Sequence, residues 1–557
     1  MTATPATVSE AAVPLRYTLP ALDGTIWLGL RPASLAALGG TVAAVVALLM
    51  VGAPLLLAAL VLLAGAVPAV VPIAGRTPLS WLPLLVRHAA SRLLGNLGWH
   101  FTRLEDSDDD LPAALGHGRR ARFVPAPVGE PSSRRSPATV GPRRPTTVPL
   151  PPECGRLYLR SLDSGAGDTA PIGVLFDRDS RDLTVIFEVI GTDRFGLLDP
   201  AGQDSQLTRW GTCLSVLAAD PRVQRVQWLT HSRPDMSSHV DERCLHEAVA
   251  DDGDTEPPGH PKGTFDIPGG VLLADYQDLV GRATRAALRH EHLLTLTLSP
   301  ASTGRGKTVG RPGRAAAAAA GQDHTLVDGV RDLAALLLSA DLLPHPLSPA
   351  ELGSTIRRLC DPNLPDHYLP ERSQAPADPR QWGLLSRRRQ WDSCRTDDTV
   401  HRSYAVTGWP RLALPADWLA PLLHTPPPDG TSRTLAIHAQ PVTPAHAARQ
   451  ARAATAKARL DAADRSRLGF SPATTDTLAQ TDAAAREAEL VAGYRLTVLT
   501  ALLTVSAPDP DRLAAASRAV QTLSVTHRLD LRPLHGQHPN GLVGCLPLGR
   551  PLPGATR

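Results

Sequence analysis

The pattern of apolar and polar positions divides the chain into three regimes. From Pro32 to Gly75 no residue is charged, and Ala, Leu and Val dominate. A bilayer span needs about 20 apolar residues, so this run is long enough for two. Gly52-Ala53-Pro54 breaks it. The pattern predicts two transmembrane helices, about 33–51 and 55–74, joined by a tight turn. A buried helical hairpin is the alternative. A cleaved signal peptide fits poorly, because the run starts late and follows Glu10 and Asp23. The second regime is Trp81–Leu104. There Trp81, Leu84, Leu85, Leu93, Leu94, Leu97 and Trp99 are interrupted by arginines, which predicts an interfacial amphipathic helix within 76–104.

The third regime begins after residue 153 and alternates between strand and helix periods. Arg156–Leu162, Ile172–Phe176 and Leu183–Ile190 read as strands, the last two joined by the polar turn Asp177–Asp182. Gln203–Ala219 has a helical period, and Val223–Thr230 alternates as a strand. A helix Gly270–His290, a strand Leu293–Leu298 and a helix at about 325–342 follow. In the second half, strands are expected at Val400–Thr407, Thr434–Gln440, Gly493–Val505 and Leu529–Pro533. Helices are expected at Pro415–His424 and Asp509–His527. Two Ala-rich charged segments, Pro444–Leu468 and about 474–491, predict a projecting helical hairpin at 444–491. The expected fold class is thus a membrane α-helical hairpin plus a cytoplasmic α+β region with that projection.

Charge sets the expected topology. Arg16 and Arg31 precede the apolar run, and Arg76, Arg87, Arg92 and Arg103 follow it. Both termini are therefore expected on the cytoplasmic side of the inner membrane. The six cysteines all follow the run and form no C-x-x-C pair, so they are expected reduced and buried. Residues 105–153 carry an acidic cluster, Glu105 to Asp110, then Arg119, Arg120, Arg122, Arg134, Arg135, Arg143 and Arg144 among prolines. That composition predicts a disordered tether. A solvated linker is the leading reading of its arginines; contact with anionic lipid comes next, with nucleic acid as the competing partner. The resulting division is a cytoplasmic segment 1–31, the hairpin 32–75, the interfacial helix 76–104, the linker 105–153, α+β domains 154–345 and 346–549, and a tail 550–557.

Composition adds little: 53 Pro, three Met and 4 % aromatics in 557 residues, with a formal charge of +3. Candidate chemistry is sparse. Ala301-Ser302-Thr303-Gly304-Arg305-Gly306-Lys307-Thr308 is one residue from a phosphate-binding loop, with Ala301 where the first Gly belongs. Such a loop needs a helix beginning at the Lys-Thr pair, whose N-terminus faces the phosphate. Gly310, Pro312 and Gly313 break a helix there, so a basic surface loop is the expectation. His239, Glu242, Cys244, His246 and Glu247 form a loose cluster in a polar loop with no C-x-x-C partner, although His239, Glu242 and His246 have the spacing of one helix face. His290 and His292 flank Glu291 at an expected helix end, where a cation suits the dipole. No G-x-S-x-G elbow occurs. No catalytic, cofactor or metal residue is expected.

Short motifs carry a resemblance. They are Trp81-Leu82-Pro83, Phe195-Gly196-Leu197-Leu198-Asp199-Pro200, Trp210-Gly211 and Val226-Gln227-Trp228-Leu229. Ser403-Tyr404-Ala405-Val406, Trp409-Pro410-Arg411 and Trp418–Leu423 follow. Leu534-His535-Gly536-Gln537 and Leu546-Pro547-Leu548-Gly549-Arg550 complete the set. With the apolar hairpin, they resemble a family of actinobacterial two-helix integral membrane proteins found with conjugation-type ATPases. More distantly, the plan is similar to type IV secretion, where a small membrane subunit joins the N-terminal, non-motor part of the conjugation ATPase. The resemblance implies a non-enzymatic inner-membrane scaffold of a secretion or conjugation apparatus. It would dock an ATPase supplied in trans, beside other secretion subunits and in a homo-oligomer. A type VII secretion membrane subunit and a membrane-anchored NTPase using Lys307 are the alternatives. Lys307→Ala is expected to leave any ATP binding unchanged, as read by equilibrium binding of a fluorescent nucleotide; lost binding in a folded variant would revive the hydrolase.

Overall fold

The computed structural model of the chain describes residues 32–70, 77–93, 98–100, 146–147, 150–163, 171–191, 198–234, 288–299, 312–363, 386–410, 414, 418–428, 430–467 and 474–552. One antiparallel sheet of fourteen strands organises them. Its first half comprises β1 (Gly98–His100), β2 (Thr146–Thr147), β3 (Leu157–Leu162), β4 (Ile172–Asp177), β5 (Leu183–Gly191), β6 (Val223–Pro234), β7 (Leu288–Leu298) and β8 (Leu342–Pro346). The second half adds β9 (Ser386–Arg389), β10 (Cys394–Thr396), β11 (Thr399–Gly408), β12 (Ser432–Pro441), β13 (Thr497–Ala507) and β14 (Asp530–Pro533). The order is β1-β9-β10-β11-β13-β12-β6-β7-β5-β4-β3-β2, with β14 beside β11 and β8 beside β5. The two halves expected as separate domains therefore share one sheet, through seven residue pairs from Arg433↔Ser232 to Ala439↔Val226.

Local chemistry explains most element ends. The β4–β5 turn is fixed by the Asp177 carboxylate, which accepts from the Asp179 N–H at 2.9 Å and the Ser180 hydroxyl at 3.1 Å. Helix α4 (Pro200–Ala219) starts at Asp199, whose side chain accepts from the Gly202 N–H, with Pro200 in the first turn. Helix α5 spans Pro312–Ser339. Helix α6 (Pro349–Cys360) opens on a capping box of Ser348 and Glu351. The short α7 (Ala420–His424) precedes β12. The hairpin α8 (Pro444–Arg467) and α9 (Thr474–Val491) lies between β12 and β13. Asp509 caps α10 (Pro510–Thr526), and α11 (His538–Gly544) follows β14.

Apolar side chains divide between the sheet's faces as the period of two requires. Phe187, Leu294 and Leu296 pack with Cys213 and Leu217 of α4 and Val330, Leu333 and Leu337 of α5. Ile186, Leu229 and Leu293 form a second core with Leu352 and Ile356 of α6 and with Leu546 and Leu548. Tyr404, Leu503 and Val505 form a third with Leu513, Ala516 and Val520 of α10.

The C-terminal segment is clasped to the middle of the sheet. The buried Gln227 amide donates to the Gly544 carbonyl at 3.1 Å and the Leu546 carbonyl at 2.8 Å. Its oxygen accepts from the Gly549 N–H at 2.9 Å. His438, the cross-strand partner of Gln227, places Nε2 2.8 Å from the same Gly544 carbonyl. Gly549 has φ 62° and lies where a Cβ would meet the Thr297 hydroxyl, so only glycine fits. Arg550 then pairs with Asp177 in the β4–β5 turn.

Several expectations need correction. The apolar run does form two helices, α1 (Pro32–Met50) and α2 (Leu55–Val70). No helix among the described residues, however, is long and apolar enough to cross a membrane. At 1.5 Å per residue their 19 and 16 residues rise roughly 28 and 24 Å, short of a hydrocarbon core of about 30 Å. Pro32, Ser34, Gly39, Gly40 and Thr41 also dilute α1. The transmembrane hairpin 32–75 is thus not supported, nor is the multi-pass inner-membrane placement with cytoplasmic termini. The fold class is corrected to a large antiparallel sheet with flanking helices.

Helix α3 (Pro78–Leu93) has protein partners. Trp81, expected at headgroup depth, stands 5.9 Å from the rings of both Trp391 and His535. The linker expected over 105–153 lies largely outside the described residues. Its end belongs to the fold: Thr146–Thr147 pair with β3, and Glu153 is buried between Arg387 and Arg389 at 2.7 and 2.8 Å. The helix expected over 270–290 is also outside, except that Leu288–His290 belong to β7.

The clasp generates a stability prediction. Gln227→Ala removes one of the partners of the Gly544 and Leu546 carbonyls and leaves the Gly549 N–H without its acceptor in the interior. The expected loss is roughly 1–3 kcal/mol, read as a lower urea midpoint. An unchanged midpoint would show that the clasp does not stabilise the fold.

Candidate functional site

Strand register brings polar side chains into rows across the sheet centre. On one face, Val505, Arg433, Ser232 and His290 are successive cross-strand partners on β13, β12, β6 and β7. The Ser232 hydroxyl lies 2.9 Å from His290 Nδ1. The His290 ring meets His424 of α7 edge-on at 4.8 Å. One step along, Thr230 Oγ1 lies 3.1 Å from His292 Nδ1, and the Trp228 indole N–H donates to that hydroxyl at 3.3 Å. Trp228 is itself edge-on to Trp210 of α4. The Arg433 guanidinium donates from Nη2 to the Leu423 carbonyl at 3.1 Å.

The opposite face carries a second row: Ser403, Thr504, Thr434, His231 and Glu291 on five neighbouring strands. Ser403 and Thr504 share a 2.9 Å hydroxyl contact, and His231 Nδ1 lies 2.9 Å from Thr434 Oγ1. Glu291, 4 % exposed, pairs with Arg358 of α6 at 3.0 Å. A neighbouring pair sets His401 Nδ1 2.8 Å from Ser506 Oγ and its Nε2 2.6 Å from Thr396 Oγ1.

Burial governs the electrostatics. Desolvation lowers His231 and His438 to about 4, and His401 and His538 to about 3. These imidazoles are therefore neutral at pH 7. The hydroxyl–imidazole pairs have the composition of a nucleophile and its base, but Ser232, Ser506 and Thr434 are 4 % exposed or less. They satisfy one another as structure. The five described cysteines are free and buried, as expected, and burial pushes Cys154, Cys394 and Cys545 up to about 12.

The sequence candidates are placed as follows. His290, Glu291 and His292 lie within strand β7 rather than at a helix end. Alternation sends Glu291 to the face opposite the two histidines. The 301–308 loop with Lys307, and the cluster His239, Glu242, Cys244, His246 and Glu247, lie outside the described residues. Among the described residues, no group of three His, Cys, Asp or Glu is placed to hold a metal ion. Arg433 and Arg358 were not singled out from the sequence. Arg433 did leave a signal, because it shares the phase of Leu435 and Ile437 on β12, where an apolar residue is expected.

No protein-family model matches the chain, and no curated protein matches it. The resemblance noted above accordingly rests on its motifs, and these have structural roles here. Asp199-Pro200 starts α4, and Gln227 and Gly549 form the clasp. Gly536, at φ 69°, gives its N–H to the Trp391 carbonyl at 2.7 Å.

Neutral buried histidines make stability depend on pH. Their folded pKa values lie below the unfolded value of about 6.5. Below that value the unfolded chain binds protons that the native chain does not. Stability is therefore full above about pH 6.5 and falls as the pH drops towards 4. His401→Gln is expected to reduce the slope of unfolding free energy between pH 6 and 4.5 by about one proton, or ~1.4 kcal/mol per pH unit. Urea titrations at several pH values measure it; an unaltered slope would mean that His401 is protonated in the native state.

Proposed function

We propose that the chain is a scaffold whose projecting hairpin docks a partner protein, and that this partner is a separately encoded ATPase. One observation carries the reading. Strands β12 and β13 pair without interruption from Ser432↔Ser506 to Pro441↔Thr497, and Val442 and Leu496 add a backbone bond at 2.9 Å. The sheet is complete before the hairpin begins. Helices α8 and α9 extend beyond it and bury little except Ala447, Ala451 and Ala483. Thr455 donates to Glu487 at 3.1 Å between them. Leu460 is 63 % exposed, Val491 85 % and Tyr494 61 %. A long arm that does not complete the core presents surface to something else.

The choice of an ATPase follows from the motif resemblance, and docking is the role that this resemblance gives the hairpin. Neither a membrane-spanning anchor nor a secretion or conjugation setting has support from the structure or the comparisons, so neither enters the proposal. Replacing residues 446–489 by a short Gly/Ser turn is expected to leave the melting transition within a few degrees of the intact chain, because the paired strands end before the cut. The same change is expected to abolish co-purification of the ATPase. Full retention of the partner would refute the hairpin assignment, and an intact chain that captures no ATPase would refute the partner.

A further inference from the structure

A cavity of about 300 Å³ lies between α10, strands β12 and β13, and the loop after α7. Val505, Ala516, Val520 and Leu523 form apolar walls, and Pro426, Pro427 and Pro428 stand on the loop side. Among the described residues that line the cavity, Arg433 carries the one charge. Arg433 is 2 % exposed. Its Nη2 is used by the Leu423 carbonyl, while its Nε is buried without a hydrogen-bond partner.

The contrast with other buried arginines is informative. Arg358 is paired with Glu291, and Arg387 and Arg389 share Glu153. Among the described residues no carboxylate lies within ion-pair distance of Arg433. On the same face its cross-strand neighbours lead to the His290 ring, which meets His424 edge-on at 4.8 Å and brings no negative charge. An uncompensated charge taken out of water costs several kcal/mol.

We propose that this cavity binds a small organic carboxylate with an apolar body. Its carboxylate would sit side-on against the Nε edge of Arg433, and its hydrocarbon would lie along Val505, Val520 and Leu523. The guanidinium fork matches the two oxygens of a planar carboxylate. A phosphate brings a second charge, and the described lining residues offer no second cation for it. The volume is at the small end of ligand pockets. The proposal is independent of hairpin docking, since the cavity and α8–α9 are on different elements.

Isothermal titration calorimetry on the full chain tests it, with hexanoate as the probe and hexan-1-ol and inorganic phosphate for comparison. Saturable binding of hexanoate alone is expected. Arg433→Met keeps most of the volume and removes the charge; Ala519→Phe fills the cavity from α10 and leaves Arg433 in place. Each is expected to weaken hexanoate binding at least tenfold, with circular dichroism confirming the fold. Because the two changes lie on different elements, misfolding of one leaves the other as the test. The proposal is overturned if hexanoate does not bind the unaltered chain, or if either folded variant binds it as well as the unaltered chain does. Hexan-1-ol binding equally well would overturn the role of Arg433, and phosphate binding equally well would overturn the role of the apolar walls.

Discussion

The Gln227 side chain is the contact on which the architecture turns. It sits mid-strand on β6, beside the junction where the two halves of the chain pair. Its three hydrogen bonds reach residues more than 300 positions away. A buried amide has four hydrogen-bonding valences to place, and this one places three on the backbone of the C-terminal segment. That segment would otherwise bring unpaired peptide groups into the interior, which is costly. With the clasp made, Leu546 and Leu548 close the core beneath Ile186 and Leu229. Arg550 reaches the β4–β5 turn, so the last residues also tie down an early hairpin.

The sheet centre solves a second problem, that of burying polar side chains on both faces. It does so by register. Hydroxyls and imidazoles stand opposite one another on neighbouring strands, so His231 meets Thr434, His290 meets Ser232, His401 meets Ser506 and Ser403 meets Thr504 within 3 Å across the ladder. The histidines remain neutral because charging them in the interior would cost more than their partners return. Arg358 and Glu291 show the ionic version of the same rule, with one charge brought by the sheet and the other by α6. Arg433 departs from it, which is why its cavity stands apart from the rest of the core.

Local elements were legible in the sequence where the period was strong. The strand at Leu183–Ile190, the helix at Gln203–Ala219, the hairpin at 444–491 and the helix at Asp509–His527 all occur within a few residues of their expected bounds. The signals were strand alternation and the helical period. The apolar run at 32–75 was legible as two helices, but its length was over-read. Among the described residues α1 and α2 run for 19 and 16 residues, and no helix there is long and apolar enough to cross a membrane. His290 and His292 were misplaced because Leu288–His290 continue a strand whose apolar period starts only at Leu293. The site residues were nearly illegible, since a buried arginine or histidine looks like any other until its neighbours are known.

What the sequence determined by itself is therefore local: period, caps, turns and the charge of the projecting hairpin. These depend on residues within one or two turns of each other. Only the tertiary structure decided that the two halves share a sheet, that Gln227 holds residues 544–549, and that Arg433 lies at a cavity without a carboxylate. The shared sheet joins segments about 200 residues apart, and the clasp joins residues 322 apart; both depend on the register of β6 in the sheet. A shift of one residue would send every one of those side chains to the other face. No local preference sets that register; the simultaneous burial of apolar and satisfied polar groups across the whole sheet does.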